Sequence, residues 1–145
     1  MWRMARDSRV LDVNTSYAYL LWARDFAATS VLATVDGVPA GFVSGYLRPD
    51  QPDTYMLWQV AVDEQHRGMS IARRMIDAVI DRQPASVTAL ETTITDDNAA
   101  SIALFSSFAR SRGAEMVKSS LFEVEHFPDS GHGAEFLYRI GPFAR

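Results

Sequence analysis

The spacing of apolar residues changes along the chain, and each change marks an element. Residues 56–62 (MLWQVAV) form a bounded apolar run with β-branched residues, which predicts a buried strand. Residues 71–80 carry apolar side chains at 71, 72, 75, 76, 79 and 80, the spacing of a helix with one apolar face. Upstream, residues 17–28 are helix formers without Gly or Pro, and Thr15 or Ser16 can cap that helix. Residues 1–8 read as the end of a helix. Residues 30–35 and 40–47 are strands joined by the hairpin signal Asp36-Gly37. Gly41 and Gly45 mark a bulge or a close approach in the second strand. Downstream of Gln83-Pro84, residues 87–95 read as a strand and 99–112 as a helix closed by Gly113. Residues 116–127 read as one long strand, 128–133 as a loop and 135–140 as a closing strand.

This order predicts a mixed sheet with helices on its faces, an α/β (α+β) arrangement. At 145 residues the expectation is a single domain, residues 1–145. Apolar content of 48% and charged content of 22% are those of a soluble globular protein. The net charge of −4 argues against nucleic acid as a partner, which wants a basic face. The absence of cysteine excludes disulfides, thiolate metal sites and a cysteine nucleophile. No metal is expected. No run of about 18 apolar residues suggests a membrane span, and residues 1–4 lack a signal-peptide core, so the cytoplasm is the expected location.

The chemistry starts between the strand at 56–62 and the helix at 71–80. Gln65, His66, Arg67, Gly68, Met69 and Ser70 form a turn in which backbone N–H groups can crowd and point outward. They lie at the positive end of the following helix, an anion site by construction. Arg67, Arg73 and Arg74 add fixed charge. An ordinary strand-to-helix turn fits the loop equally well, and His66 fits a surface position.

Val-Ala-Val-Asp followed by Gln65-x-x-Gly68-x-Ser70 and an apolar helix resembles the acetyl-CoA motif of the GCN5-related N-acetyltransferases (GNAT). Ser70 stands where that motif has Gly or Ala. The resemblance implies a mostly antiparallel mixed sheet with a splayed central strand pair. It also implies acetyl-CoA as co-substrate, with Gln59, Val60, Ala61 and Val62 beside the pantetheine. Asn98, Ser101 and Phe105 resemble the segment that lines the coenzyme arm in this family, although Asn98 equally suits a helix cap. The family opens with a strand before its first helix. Here the chain reads as starting inside the helix region, so the expectation is a sheet without that first strand and with a bare edge at residues 31–35.

The segments 11–21, 24–26, 41–46, 58–63 and 90–93 further resemble the L-2,4-diaminobutyrate acetyltransferases of ectoine biosynthesis, an osmotic-stress pathway. The likeness runs from Leu11 to about Pro142. It implies transfer of acetyl to the 4-amino group and a homodimer. By this resemblance Asp12, Thr15, Tyr17, Trp58, His132 and Glu135 belong to the acceptor pocket. Two ammonium groups and a carboxylate call for carboxylates, aromatic faces and donors, which these side chains supply. Read without the resemblance, Asp12 fits a helix entry, Trp58 and Tyr17 fit the core, and His132 fits the surface.

Attack needs a neutral amine, while a free amine titrates near 10 as lysine does, so a group must take a proton. Glu91, Glu135, Asp12 and His132 are the candidates, unranked. Many relatives carry a helix tyrosine that protonates the leaving thiolate. Phe105 and Phe108 occupy that region here, so Tyr17 is a substitute candidate. The N–H near Val60 can polarise the thioester carbonyl. Two other readings stay open: an acetyltransferase for another small amine or amino acid, and a non-catalytic acyl-CoA-binding module.

Overall fold

The computed structural model describes residues 1–129 and 131–143. The elements are α1 (Trp2–Ser8), α2 (Ser16–Asp25), β1 (Val31–Val35), β2 (Val38–Leu47) and β3 (Thr54–Val62). They continue with α3 (Ile71–Arg82), β4 (Ala89–Ile94), α4 (Ala99–Ser111), β5 (Met116–Phe122) and β6 (Glu135–Ile140). Thr15 caps α2, its Oγ1 accepting from the Ala18 N–H at 3.2 Å. Asp36 and Gly37 both take positive φ in the β1–β2 turn, as a two-residue hairpin requires.

The six strands lie in the order β1-β2-β3-β4-β6-β5. Only the β3–β4 pair is parallel; the other ladders are antiparallel. This is the mixed, mostly antiparallel sheet that the sequence predicts. β1 forms one edge, with Leu32 exposed on it.

The main core lies on one face of the sheet, where α3 and α4 pack. Met75, Ile76, Val79 and Ile80 of α3 meet Phe105 and Phe108 of α4 over Tyr55, Leu57 and Leu90. A smaller cluster of Met4, Ala5, Tyr19, Phe42 and Ala61 seats α1 and α2 on the opposite face. The apolar stripe of α3 is thus explained by what it covers.

One element differs from the sequence reading. The predicted strand over 116–127 ends at Phe122, because β6 begins at Glu135 and the ladder runs out at the Phe122–Glu135 pair. Residues 124–126 form a short 3-10 turn instead. The Glu123 N–H donates to His126 Nδ1 at 3.0 Å, which turns the chain away from the sheet. Alternating polarity continues through 123–127, but a strand needs a neighbour as well as a pattern.

Candidate active site

The β3–β4 ladder is short. Pairing runs from Thr54–Ala89 to Leu57–Thr92 and stops. The next residue, Trp58, is the extra one in a bulge: Ser44 pairs with Gln59 and Gly45 with Leu57, leaving Trp58 without a partner on β2. A bulge bends its strand, so β3 leaves β4 at the point where the surplus residue enters. Beyond it lies a cleft of about 380 Å³ lined by Trp58, Val60, Val62, Thr93, Asn98 and Leu104, among others.

The alternation of the β2–β3 ladder decides which backbone groups the cleft receives. The Asp63 N–H bonds to the Ala40 carbonyl at 2.8 Å. Gly41–Val62 and Val43–Val60 are therefore the pairs without mutual hydrogen bonds. Val60 and Val62 turn their N–H and C=O groups towards the cleft. Gln59 and Ala61 turn theirs to β2. Of the four residues 59–62, two offer backbone to a ligand, and the Gln59 side chain leaves for the opposite face of the sheet.

At one end of the cleft is the turn before α3. Gly68 and Ser70 both hold left-handed backbone, at φ 81° and 56°. Left-handed residues beside extended or helical ones turn successive N–H groups to one side. Among the described residues, the N–H groups from Gly68 to Arg73 have no backbone acceptor outside α3, and α3 itself provides none for its first turn. A Cβ built on Gly68 would meet nothing within 4 Å. Arg67 borders both this turn and the cleft. Gln65 and His66 lie within 3.3 Å of one another, Nε2 to Nε2, and Met69 is exposed. The turn is thus open, positive and uncommitted, which fits a diphosphate.

Asn98 does both jobs that the sequence allowed. Its Oδ1 accepts from the Ser101 N–H at 3.1 Å, capping α4, while the residue also lines the cleft. Ser101 and Phe105 stand on the same wall, although Phe105 is chiefly a core residue.

At the other end the predicted acceptor residues partly converge. Glu135 is half-buried, with Thr93 beside it favouring the ionised form; burial, with some repulsion from Asp12, nevertheless holds its carboxyl above the usual glutamate range. His132 acts on it in the opposite direction and stacks on Phe127, ring centroids 4.6 Å apart. His132 Nε2 lies 3.6 Å from Asp129 Oδ2. Trp58 packs on Trp22 at 4.4 Å between centroids, and Trp22 stacks on Phe26. Thr15 is spent on capping. Tyr17 is 67% exposed at the first turn of α2, away from the core.

Glu91 is the candidate whose surroundings oppose its role. It is buried, and each carboxylate oxygen accepts from a guanidinium: Oε2 from Arg48 at 2.8 Å and Oε1 from Arg139 at 2.7 Å. A carboxylate so occupied is a structural anchor and a poor proton acceptor for a substrate. Sequence reasoning missed these arginines, and it missed Thr93, which lies two residues beyond Glu91 in β4. Among the described residues, no group of His, Asp and Glu could hold a metal ion.

A sequence profile of the Acetyltransferase (GNAT) family matches residues 2–109. The chain belongs to that family. Its GNAT relatives include an L-2,4-diaminobutyric acid acetyltransferase of Streptomyces coelicolor, 54% identical over 99% of this chain and 86% of the relative. One of the same name from Nocardia farcinica is 56% identical over 100% of this chain and 75% of its own length. Among solved structures, the diaminobutyrate acetyltransferase EctA of Paenibacillus lautus, in complex with L-2,4-diaminobutyric acid and coenzyme A, superposes with a TM-score of 0.93. It is 34% identical and covers 99% of this chain and 88% of that one. The GNAT fold expected from the motif at 65–70 is therefore the fold observed.

Proposed function

We propose that this GNAT enzyme transfers an acetyl group from acetyl-CoA to the 4-amino group of L-2,4-diaminobutyrate, giving N4-acetyl-L-2,4-diaminobutyrate. The observation that carries the reading is the cleft opened where β3 leaves β4 after Leu57, with free amides at one end and Thr93, the neighbour of Glu135, at the other. The GNAT relatives named above bear this activity in their names, and the Paenibacillus lautus enzyme holds this amine and coenzyme A.

Acetyl-CoA supplies a thioester, an acyl group ready for transfer. The amides from Gly68 to Arg73, with Arg67 and Gln65 beside them, would hold its diphosphate. The backbone of Val60 and Val62 would pair with the pantetheine amides as an added strand does. Asn98, Ser101 and Phe105 would wall the arm. Asp12 and Glu135 would hold the ammonium groups and the Trp58 face would cover one of them. Thr15, Tyr17 and His132 would form the rim.

Glu135 is the group we assign to take the proton that the acceptor ammonium must lose. Its raised pKa makes it a better base than an exposed glutamate, and Thr93 beside it lines the cleft. Glu91 has no such role in this reading, and Tyr17 stays a candidate acid. The reading extends to ectoine biosynthesis under osmotic stress, in the cytoplasm, by a homodimer. What supports it is the likeness to ectoine-pathway acetyltransferases along most of the chain, and for the dimer the uncovered β1 edge as well.

Thiol release from acetyl-CoA, measured with diaminobutyrate, ornithine, lysine and spermidine, tests the reading. Diaminobutyrate is expected to be fastest by roughly tenfold or more, the discrimination a pocket gives for about one methylene. Faster turnover of another amine would replace the substrate. No release with any amine would leave an acyl-CoA-binding module.

A further inference from the structure

Gln59 is 3% exposed and spends its side chain on two hydrogen bonds. Its Oε1 accepts from the Tyr19 hydroxyl at 3.0 Å, and its Nε2 donates to the Asp12 carbonyl at 2.9 Å. Tyr19 is the buried residue of α2, itself 5% exposed. One amide thus joins a strand, a helix and the loop between α1 and α2. Among the described residues, no other hydrogen bond reaches residues 12–14. The Ser8 hydroxyl holds the start of that loop through the Val10 and Leu11 N–H groups, and Thr15 holds its end.

The position of Gln59 gives this link a purpose. Trp58 precedes it and enters the acceptor end of the cleft. Val60 follows it and offers backbone to the cleft. The carboxylate of Asp12 acts on Glu135. A displacement of the loop would therefore shift Asp12 relative to both Glu135 and the strand that carries the thioester. A glutamine suits the task because a single planar group both donates and accepts. Glutamate has the same shape and could still accept from Tyr19, but it would set an acceptor against the Asp12 carbonyl. The Asp12 carbonyl, which can only accept, fixes which amide atom faces which way, and the Tyr19 hydroxyl donates to the other.

We infer that Gln59, anchored by Tyr19, is a positioning residue for the acceptor amine: it locks the Asp12 loop to the cofactor strand so that the pocket and the acyl group share one frame. This rests on the function proposed above only for the identity of the amine; the locking of the loop stands apart from it.

The test compares Gln59→Glu and Tyr19→Phe with Ser44→Ala. Ser44 is buried directly opposite Gln59, and its hydroxyl has no partner among the described residues, so its loss perturbs the same region without cutting the link. Gln59→Glu is expected to raise the diaminobutyrate KM about tenfold, which is the loss of about 1.4 kcal/mol. Its acetyl-CoA KM should stay within about twofold of wild type. Tyr19→Phe should raise the amine KM by roughly threefold, and Ser44→Ala should leave both constants unchanged. Amide hydrogen exchange, read without substrates, should quicken at residues 12–14 in the first two variants and stay unchanged in α3.

Unaltered exchange at 12–14 in both linked variants overturns the inference. So does an equal loss in both KM values with faster exchange in α3, which would mean a general loss of packing. If Gln59→Glu does not fold, Tyr19→Phe decides by the same two readouts. If the wild type releases no thiol with diaminobutyrate, the proposed function falls, and the exchange result alone decides whether Gln59 holds the loop.

Discussion

Glu91 and Arg139 face each other across β4 and β6, 2.7 Å apart, and Arg48 closes on the other oxygen of the same carboxylate from the end of β2. Arg139 also donates to the Thr54 hydroxyl at 3.2 Å. The cluster therefore ties β4 and β6 to both ends of the loop between β2 and β3. Glu91→Gln removes a buried anion from between two arginines. It is expected to lower stability by about 2 kcal/mol, a figure reduced from the fully buried case because both arginines reach water. Denaturant unfolding measures this. The pH profile of kcat/KM should keep its acidic limb; loss of that limb would return Glu91 to the list of bases.

Glu135 leads to the opposite pair of effects. Its folded pKa lies above its unfolded value, so the folded state favours the protonated form. The ionised carboxylate thus costs stability. That cost is absent below the unfolded pKa and grows as pH rises through the raised folded pKa. Glu135→Gln should melt higher than wild type at neutral pH, with the difference vanishing in acid. The same variant should lose kcat by about 100-fold or more. A variant both less stable at neutral pH and fully active would contradict both assignments.

Gly68 has open space in front of it and a φ of 81°. Gly68→Val should cost about 1–2 kcal/mol of folding stability, since left-handed backbone is unfavourable for a branched residue. The larger effect should be on coenzyme A. Its Kd, read by calorimetry, should rise about tenfold or more, because the side chain would stand where the diphosphate approaches the amides. An unchanged Kd would remove this turn from the cofactor site.

Gly45 is constrained by a neighbour where Gly68 is free. A Cβ there would collide with the Tyr55 hydroxyl, which is buried and donates to the Thr29 carbonyl at 2.8 Å. Gly45→Ala is expected to cost about 3 kcal/mol, since a buried ring cannot yield without breaking that bond. Equilibrium unfolding would detect it, and Tyr55→Phe in the same background should recover part of the loss.

Much of this could be read from the chain. The glycines at 41 and 45 sit at close approaches, as the strand pattern suggested: a Cβ on Gly41 would meet the Ala61 carbonyl at 2.9 Å. The turn at 65–70 was legible because local chemistry decides it; Gly68 and the start of α3 need no distant partner. The Glu91 environment was not legible. Alternation placed it on one face of a strand, but only the tertiary fold brings Arg48 and Arg139 to it, from positions 43 residues before and 48 after. Gln59 is similar. It lies in the cofactor strand, and nothing local says that its side chain leaves the cleft to hold Asp12. The end of β5 at Phe122 likewise depended on where a neighbour stopped.

Trp58 is surplus to the ladder with β2, and the ladder with β4 ends one residue before it. Deleting that position would bring Leu57 and Gln59 into step opposite Gly45 and Ser44 and free β3 to run on alongside Thr93 and Ile94. The result would be a sheet closed two residues further, with the backbone of Val60 engaged by β4 and less of the strand left over for a coenzyme. Catalytic capacity in this architecture is in that sense an arithmetic remainder, one amino acid more than hydrogen bonding between neighbours can accommodate.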